Sequence, residues 1–340
     1  MKLVPACAAL LLVAATGPVA AHTVKVTPVG SHAGELCAND RATIFEDPTG
    51  VRIIYDVGHT VTGGDDPRLG TIHAVLLSHA HGDHIGDQKL KAPGAGNCGE
   101  AERISAAPNT TMAEVVAAKS AAIVTNFEMS AFVGRKVQAI GGKPVGPCPQ
   151  AAGVTTVPVA APCRSNTHVG GTFTARTGEA TQGVEITLVY AAHANNPPLS
   201  LLSEAQRAFL APDDIGIPLG PPLGYVIRFT NGLVAYLSGD SGVHTEMKTV
   251  VHDYHKANLV LLNFGATALS TAAGVYAMNE LVRPASVILS HVNEAATEGG
   301  KLLPNSRTAA LAKQLKATVH MGISGRTMEF DGKGRCVTGC

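Results

Sequence analysis

A dense group of metal-binding side chains constrains this sequence more than any other feature. The six residues after an apolar run at 72–78 read His-Ala-His-Gly-Asp-His. Alternate residues of an extended segment point to the same side, so His79 and His81 are expected to face one point. The glycine then lets the chain turn and direct Asp83 and His84 towards a second point. Imidazole and carboxylate groups suit zinc and similar ions, so the motif predicts half of a two-ion site at a strand end.

Apolar runs alternate with helical patterns along the chain, which predicts a layered α/β fold. We expect strands at 23–29, 42–46, 51–55, 72–77, 121–125, 154–159, 184–190, 224–230, 233–238, 258–264 and 285–289. We expect helices at 112–119, 127–140, 200–210, 244–256, 273–283 and 306–316. Asn231-Gly232 is a strong signal for a two-residue hairpin turn between two of these strands. No internal repeat is present, and we interpret 22–340 as a single domain.

Composition argues against nucleic acid as the main partner. The formal net charge is zero, and the chain has no basic block of the kind that binds phosphate backbones. Hydrophobic residues make up 45% of the chain, which is enough for a large core. Aromatic residues are only 4% and Trp is absent, so Val, Ile, Leu and Ala are expected to fill that core.

Residues 1–21 have the pattern of a secretory signal peptide. Lys2 supplies the positive start, 10–15 form the centre of an apolar stretch, and 19–21 offer the small residues of a cleavage site. We expect the mature chain to begin near His22 and to be exported, either to the periplasm or out of the cell. The apolar stretch is short for a membrane span, and no later window predicts one.

Six cysteines remain after signal removal, and an even number in an exported protein is consistent with disulfides. Six cysteines allow fifteen pairings. Proximity in sequence favours Cys148 with Cys163 and Cys336 with Cys340, which would leave Cys37 to pair with Cys98. None of the six lies in the histidine motif, so we interpret them as disulfide partners and not as zinc ligands.

Three more ligand-type residues lie at predicted strand ends. His193, Asp240 and His291 each follow an apolar strand shortly before a loop. Sites in α/β proteins form where strands end and loops begin, so these residues are candidates for the rest of the site. Taken singly, each also fits a histidine that caps a strand or an aspartate that starts a turn.

Two long segments, 92–111 and 194–224, are predicted to be loops. The first is rich in Gly, Pro, Asn and Ala, and the second contains six prolines around a short amphipathic stretch. Each follows a candidate ligand, so each would form the rim or lid of the site. Surface decoration explains them equally well.

The order of these residues resembles the metallo-β-lactamase superfamily. The resemblance is carried by His79, His81, Asp83, His84, His193, Asp240 and His291. Asp56, in Tyr-Asp-Val-Gly, matches the early Asp-x-Gly signature of that superfamily. The resemblance extends from about residue 24 to about residue 330. It implies an αββα sandwich with the active site along one edge of two facing sheets.

The resemblance also implies a role for each residue. It places one ion on His79, His81 and His193, a second on Asp83, His84 and His291, and Asp240 between them. Asp56 would support the ligands or the local structure. Two divalent ions are implied, with Zn²⁺ as the default, and Mn²⁺ or Fe²⁺ suit the same ligands.

The implied activity is metal-dependent hydrolysis of a small substrate. A hydroxide held by two ions would attack an ester, lactone, amide or phosphodiester, and Asp83 would orient it and take up its proton. No Gly-x-Ser-x-Gly elbow predicts a serine nucleophile. The sequence is most similar to the branch of ascorbate-phosphate lactonase-like enzymes and N-acyl-phospholipid phosphodiesterases, although Ser241 replaces the usual Thr after the bridging Asp.

Two other functions and several residue roles stay open. The chain could be an exported β-lactamase without a cysteine ligand, although that subclass generally lacks an aspartate like Asp240, or it could be a non-catalytic metal-binding module. His32 and His244 are candidates to face the site as proton donors, or they are solvated loop residues. Isolated histidines such as His168 and His320 are interpreted as structural. The sequence identifies no general acid and no oligomeric state.

Overall fold

Two eight-stranded sheets face each other in the computed structural model, which describes residues 22–210, 212, 215–265 and 268–340. The predicted signal peptide, 1–21, lies outside the described residues. The first sheet has the spatial order β20 (Cys336–Thr338), β19 (Met328–Phe330), β1 (Val24–Pro28), β2 (Thr43–Glu46), β3 (Arg52–Tyr55), β4 (Ala74–Leu76), β7 (Ala122–Val124) and β9 (Cys163–Arg164). The second has the order β18 (Thr318–Met321), β15 (Ser286–Ser290), β14 (Leu259–Asn263), β13 (Val234–Leu237), β12 (Leu223–Arg228), β11 (Val184–Tyr190), β10 (Thr172–Thr177) and β8 (Val154–Val157). Two small hairpins pair β5 (Gln88–Leu90) with β6 (Arg103–Ser105) and β16 (Thr297–Glu298) with β17 (Lys301–Leu302).

Strand direction explains why ligand-type residues gather at one edge. In the second sheet β12 pairs antiparallel with both β11 and β13, and β13, β14 and β15 are parallel. Strands β11, β13, β14 and β15 therefore run the same way and end at one edge. In the first sheet β3, β4 and β7 are parallel neighbours and also end together.

Helices cover the outer faces of both sheets. In chain order they are α1 (Gly82–Ile85), α2 (Thr111–Lys119), α3 (Phe127–Gly141), α4 (Glu204–Leu210), the π-helical segment Met247–Tyr254, α5 (Thr271–Tyr276), the π-helical segment Ala277–Val282 and α6 (Arg307–Ala312). Apolar residues of α2 and α3 pack against the first sheet, and those of the helical segments from Met247 onward pack against the second. The predicted αββα sandwich is therefore confirmed. Within the described residues no helix has the length and apolar character that a membrane crossing requires.

Two buried tyrosines tie the facing sheets together near the edge where the strands end. The rings of Tyr55 on β3 and Tyr225 on β12 meet edge to face, with centroids 6.1 Å apart. The Tyr225 hydroxyl donates to the carbonyl of Leu77 at 2.6 Å, and the Tyr55 hydroxyl accepts from the amide of Gly239 at 3.1 Å. Branched aliphatic residues fill most of the core, as expected, but these tyrosines fix the strand ends that precede the histidine motif and the predicted bridging aspartate.

The structure corrects the predicted two-residue hairpin. Strands β12 and β13 do pair, but Phe229 donates to Leu233 at 2.9 Å across a three-residue loop. Gly232 takes a left-handed φ of 91° and donates to the Phe229 carbonyl at 3.1 Å. This is the turn followed by a left-handed residue that three-residue hairpins use, so the Asn-Gly pair marks the hairpin but not its length.

The six cysteines form the three pairs that sequence proximity favoured. The Cys37–Cys98 bond fastens the 92–111 segment to the stretch before β2. This segment is not wholly loop, because β6 lies within it and pairs with β5. The 194–224 segment likewise contains α4, which is shorter than the predicted helix at 200–210.

The two tyrosine hydroxyls of the second sheet give a paired stability test. Tyr225→Phe removes the donor to Leu77 and should lower the free energy of unfolding by about 1–2 kcal/mol, as for other buried hydrogen bonds. The hydroxyl of Tyr236 is buried without a partner, so Tyr236→Phe should be neutral or stabilising. Urea unfolding monitored by circular dichroism measures both. Equal destabilisation by the two changes would contradict the role given to Tyr225.

Candidate metal centre

The structure brings all seven predicted ligands together at the edge where the strands end. They fall into three overlapping groups, in each of which the ligand atoms lie within 4.8 Å of one another. The groups are His79, His81 and His193; His79, His84 and Asp240; and Asp83, His84 and His291. Because His79 and His84 each belong to two groups, the seven side chains form one continuous centre.

The histidine motif turns sharply after β4. Gly82 begins α1, and a Cβ at this position would lie 2.4 Å from the Asp87 carboxylate, so a side chain cannot be accommodated without movement. The short helix ends at Gly86, whose φ is 79° and whose amide donates to the Gly82 carbonyl. The extended pair and the turned pair therefore point to different parts of the centre, in agreement with the sequence argument.

The group of three histidines is uncharged around neutral pH. Ser78 Oγ lies 2.9 Å from His79 Nδ1, and His79 Nε2 lies 3.0 Å from His81 Nδ1. Burial, assisted by the positive potential of His84, lowers the pKa of His79 well below its usual value. Burial also lowers the pKa values of His81 and His193. Neutral imidazole is the form that ligates a metal.

Carboxylates and imidazoles alternate in the second part of the centre. Asp240 Oδ2 lies 3.0 Å from His291 Nε2 and 3.3 Å from His84 Nε2. Asp83 Oδ2 lies 3.5 Å from His291 Nε2. Burial opposes charge on His84 and Asp240, but attraction between the oppositely charged groups outweighs it. The pKa of His84 rises to about 10, and that of Asp240 falls well below its usual value.

Unpartnered buried atoms show that this chemistry fits a metal ion. Nε2 of His84 and Nε2 of His291 are buried, and neither makes a hydrogen bond of acceptable geometry. Buried polar atoms normally find a partner, and converging imidazole nitrogens and carboxylate oxygens are the ligand set of divalent zinc, manganese or iron. A cation among them would satisfy these atoms and would displace the proton that His84 otherwise carries.

Asp56 supports two histidines from inside the protein. Its carboxylate is fully buried, accepts from the amide of Ser78 at 2.8 Å and lies 2.7 Å from His84 Nδ1. The Ser78 hydroxyl, which also contacts His79, donates at 2.7 Å to Asp56 Oδ2, the same oxygen that His84 contacts. Asp56 therefore contacts Nδ1 of His84 and leaves its Nε2 directed at the centre.

Three supporting residues carried no signal in the sequence. Asn263, at the end of β14, donates to Asp240 Oδ1 at 3.0 Å. The Asp40 carbonyl accepts from the amide of His291, whose backbone has a left-handed φ of 49°. Arg41, which is almost wholly buried, forms an ion pair with the Asp83 carboxylate. Only the position of Asn263 at a strand end could have suggested its role.

The remaining predicted histidines lie differently. His32 contacts Ser31 and the Gly96 carbonyl, so its described hydrogen bonds reach the 92–111 segment and no predicted ligand. His244 packs edge to face on Tyr190, with both ring nitrogens buried and unpartnered. Neither belongs to a ligand group among the described residues.

One further group of ligand-type side chains lies elsewhere. His320, Cys336 and Cys340 come close together, but the two sulfurs are joined in a disulfide and cannot ligate as thiolates. His320 also lies edge to face against Phe330. The structural interpretation of His320 therefore stands in the oxidised protein.

Asp56→Asn tests the support given to the centre. Exchange of its carboxylate for an amide should weaken metal binding about 10- to 100-fold, as for other residues that orient metal ligands. Asp47→Asn is the matched control. Asp47 is also buried, but it accepts hydrogen bonds from Thr49 and Thr230, which are not part of the centre. Competition with a chromophoric chelator measures the affinity. Equal affinity in the Asp56 and Asp47 variants would contradict this role.

Comparison with known proteins finds relatives that match nearly the whole chain. No family model matches the chain. A UPF0173 metal-dependent hydrolase of Polynucleobacter asymbioticus is 24% identical over 339 residues, which cover 95% of each chain. A second, from Cupriavidus taiwanensis, is 26% identical over 334 residues, covering 95% of this chain and 97% of the relative.

Among solved structures, Igni18, a metallo hydrolase from Ignicoccus hospitalis, superposes with a TM-score of 0.54 at 20% identity. The match covers 91% of this chain and 99% of Igni18, so it concerns the whole sandwich. The chain therefore has the αββα sandwich fold of the metallo-β-lactamase type, and over nearly its full length it is similar to proteins named as metal-dependent hydrolases.

Proposed function

We propose that this protein is a two-metal hydrolase that cleaves an ester, lactone, amide or phosphodiester bond of a small substrate. One observation carries the proposal: the Nε2 atoms of His84 and His291, which make no hydrogen bond, converge on the buried Asp240 carboxylate beside the group of three histidines. A cluster that holds two carboxylates among five imidazoles has more ligands than one tetrahedral ion requires.

Each half of the centre has a full set of ligands. The first ion would be held by His79, His81 and His193, and the second by Asp83, His84 and His291. Asp240 would contribute to both sites. Zn²⁺ is the first choice for these ligands, and Mn²⁺ or Fe²⁺ also suit them. When bound, divalent ions supply Lewis acidity, which lowers the pKa of water and polarises the substrate oxygen.

The chain's own residues then orient the attacking water. We call Asp83, His84 and His291 the second group, and His79, His81 and His193 the first group. Asp83 has the most exposed side chain of the second group, at 35%, so its carboxylate can accept a hydrogen bond from water at the mouth of the centre. All six cysteines in the described part of the chain are disulfide-bonded, which leaves no thiol there as a nucleophile. Direct attack by water therefore fits best.

We also propose that the protein is exported. Residues 1–21 carry the signal pattern, and the three disulfides suit an oxidising compartment. Mass spectrometry of the protein from the periplasm or medium should give a mature chain that starts near His22. A full-length chain that stays in the cytoplasm with free thiols would contradict export.

Single substitutions in the centre test the proposed chemistry. His81→Ala or Asp83→Ala should lower kcat/KM at least about 100-fold while the protein stays folded, because each removes a group needed to hold or orient the reacting species. His168→Ala is the control, since His168 is exposed and contacts only the Val169 carbonyl. Circular dichroism verifies folding. Full activity in either centre variant would refute the assignment.

A substrate panel separates the proposed activity from its alternatives. Purified metal-loaded protein is assayed with lactones, phosphodiesters, carboxylic esters, amides and the β-lactam nitrocefin. Turnover of a substrate other than nitrocefin supports the proposal, and nitrocefin turnover alone would favour the β-lactamase. Failure to hydrolyse any member would favour a metal-binding module without catalysis.

A further inference from the structure

Arg41 is a buried cation that the mechanism above does not use. It precedes β2, and its side chain is only 1% exposed. Its Nη1 donates to the main-chain carbonyl of Asp83 at 2.7 Å and also contacts the Asp83 carboxylate. One guanidinium nitrogen therefore fixes both the backbone and the side chain of a predicted metal ligand.

A glycine makes room for this contact. Gly58 has a left-handed φ of 54°, and its amide donates to the His84 carbonyl at 2.9 Å. A Cβ on Gly58 would lie 2.6 Å from the Asp83 carbonyl and 3.1 Å from both Cγ and Cδ of Arg41. The aliphatic stem of Arg41 thus packs closely against Gly58, where a larger residue would crowd it.

The residue before Arg41 holds another ligand of the same group. The Asp40 carbonyl accepts from the amide of His291 at 2.8 Å. The Asp40 carboxylate is buried and accepts from the amides of Ser31 and Cys37, which anchors this stretch. Two consecutive residues therefore position two of the three ligands of the second group. None of their described contacts reaches the group of three histidines.

We propose that Arg41 is the positioning residue that fixes Asp83, and that it sets the metal affinity of the second group while leaving the first unchanged. This inference rests on the proposed two-metal function. The guanidinium contacts both the main-chain carbonyl of Asp83 and Asp83 Oδ2, and Oδ2 is also the oxygen that lies 3.5 Å from His291 Nε2. Arg41 therefore holds this carboxylate in one orientation beside His291. Arg41 cannot touch a substrate itself because it is buried.

The chemistry of the side chain explains why arginine is needed. Guanidinium stays charged in a buried position and keeps its donors in a fixed plane, whereas the lysine ammonium is a compact point charge on a flexible stem. Residues that hold a metal ligand by hydrogen bonds typically change affinity about 10- to 100-fold when removed.

The test is a Zn²⁺ titration of metal-free protein, followed by calorimetry and by competition with a chromophoric chelator. The wild-type protein should bind two ions. Arg41→Gln should weaken the second group about 10- to 100-fold and leave the first group unchanged. Arg41→Lys keeps the charge but loses the fixed geometry, so its second affinity should fall between those of the other two proteins.

Arg68→Gln is the matched control for a purely structural arginine. Arg68 pairs with buried Asp66 and donates to the carbonyls of Gly30 and Thr60, near the same stretch but outside the centre. Its loss should lower the melting temperature without changing the ratio of the two metal affinities. The ratio therefore separates positioning from general destabilisation, which would weaken both groups together.

The outcomes distinguish this inference from the proposed function. A selective loss at the second group in Arg41→Gln supports the inference, and if that variant does not fold, the same selective loss in Arg41→Lys supports it. The inference is overturned, but the two-metal function is not, if the folded variants keep the Zn²⁺ affinity of the second group unchanged. The same holds if the Zn²⁺ affinities of both groups fall equally. Wild-type protein that binds fewer than two ions overturns both.

Discussion

The convergence of Asp240, His84 and His291 away from solvent is the interaction on which the rest of this structure depends. Polar groups are costly to bury without hydrogen bonds, and the Nε2 atoms of both histidines make none, although each lies close to the Asp240 carboxylate. Asp56 holds the other ring nitrogen of His84, and Asn263 holds the other carboxylate oxygen of Asp240. The ligand atoms are thereby directed at one another, and a bound cation would satisfy them.

The sandwich brings these ligands together because many strands end at the same edge. Four parallel-running strands of the second sheet and the parallel strands of the first deliver their following loops to one place. Tyr55 and Tyr225 lock the two sheets close to these ends. The ligands consequently come from rigid element ends, while the less regular segments 92–111 and 194–224 are free to vary around them.

Much of the centre could be predicted because its ligands have local signatures. A ligand-type residue that follows an apolar strand can be recognised from the few residues beside it in the sequence. This applies to His193 and His291 as well as to the histidine motif. Arg41 could not be predicted, because its partner Asp83 is 42 residues away and no nearby pattern marks the pair. Strand β10 was missed for a related reason: Phe173 and Ala175 are its only apolar residues, and pairing with β11 stabilises it.

Seven side chains are proposed to form one centre for two ions. Anomalous diffraction from zinc-loaded crystals, recorded on both sides of the zinc absorption edge, tests this arrangement most directly. We expect two zinc peaks, one among His79, His81 and His193 and the other among Asp83, His84 and His291, with Asp240 between them. A single peak, or peaks outside these groups, would contradict it.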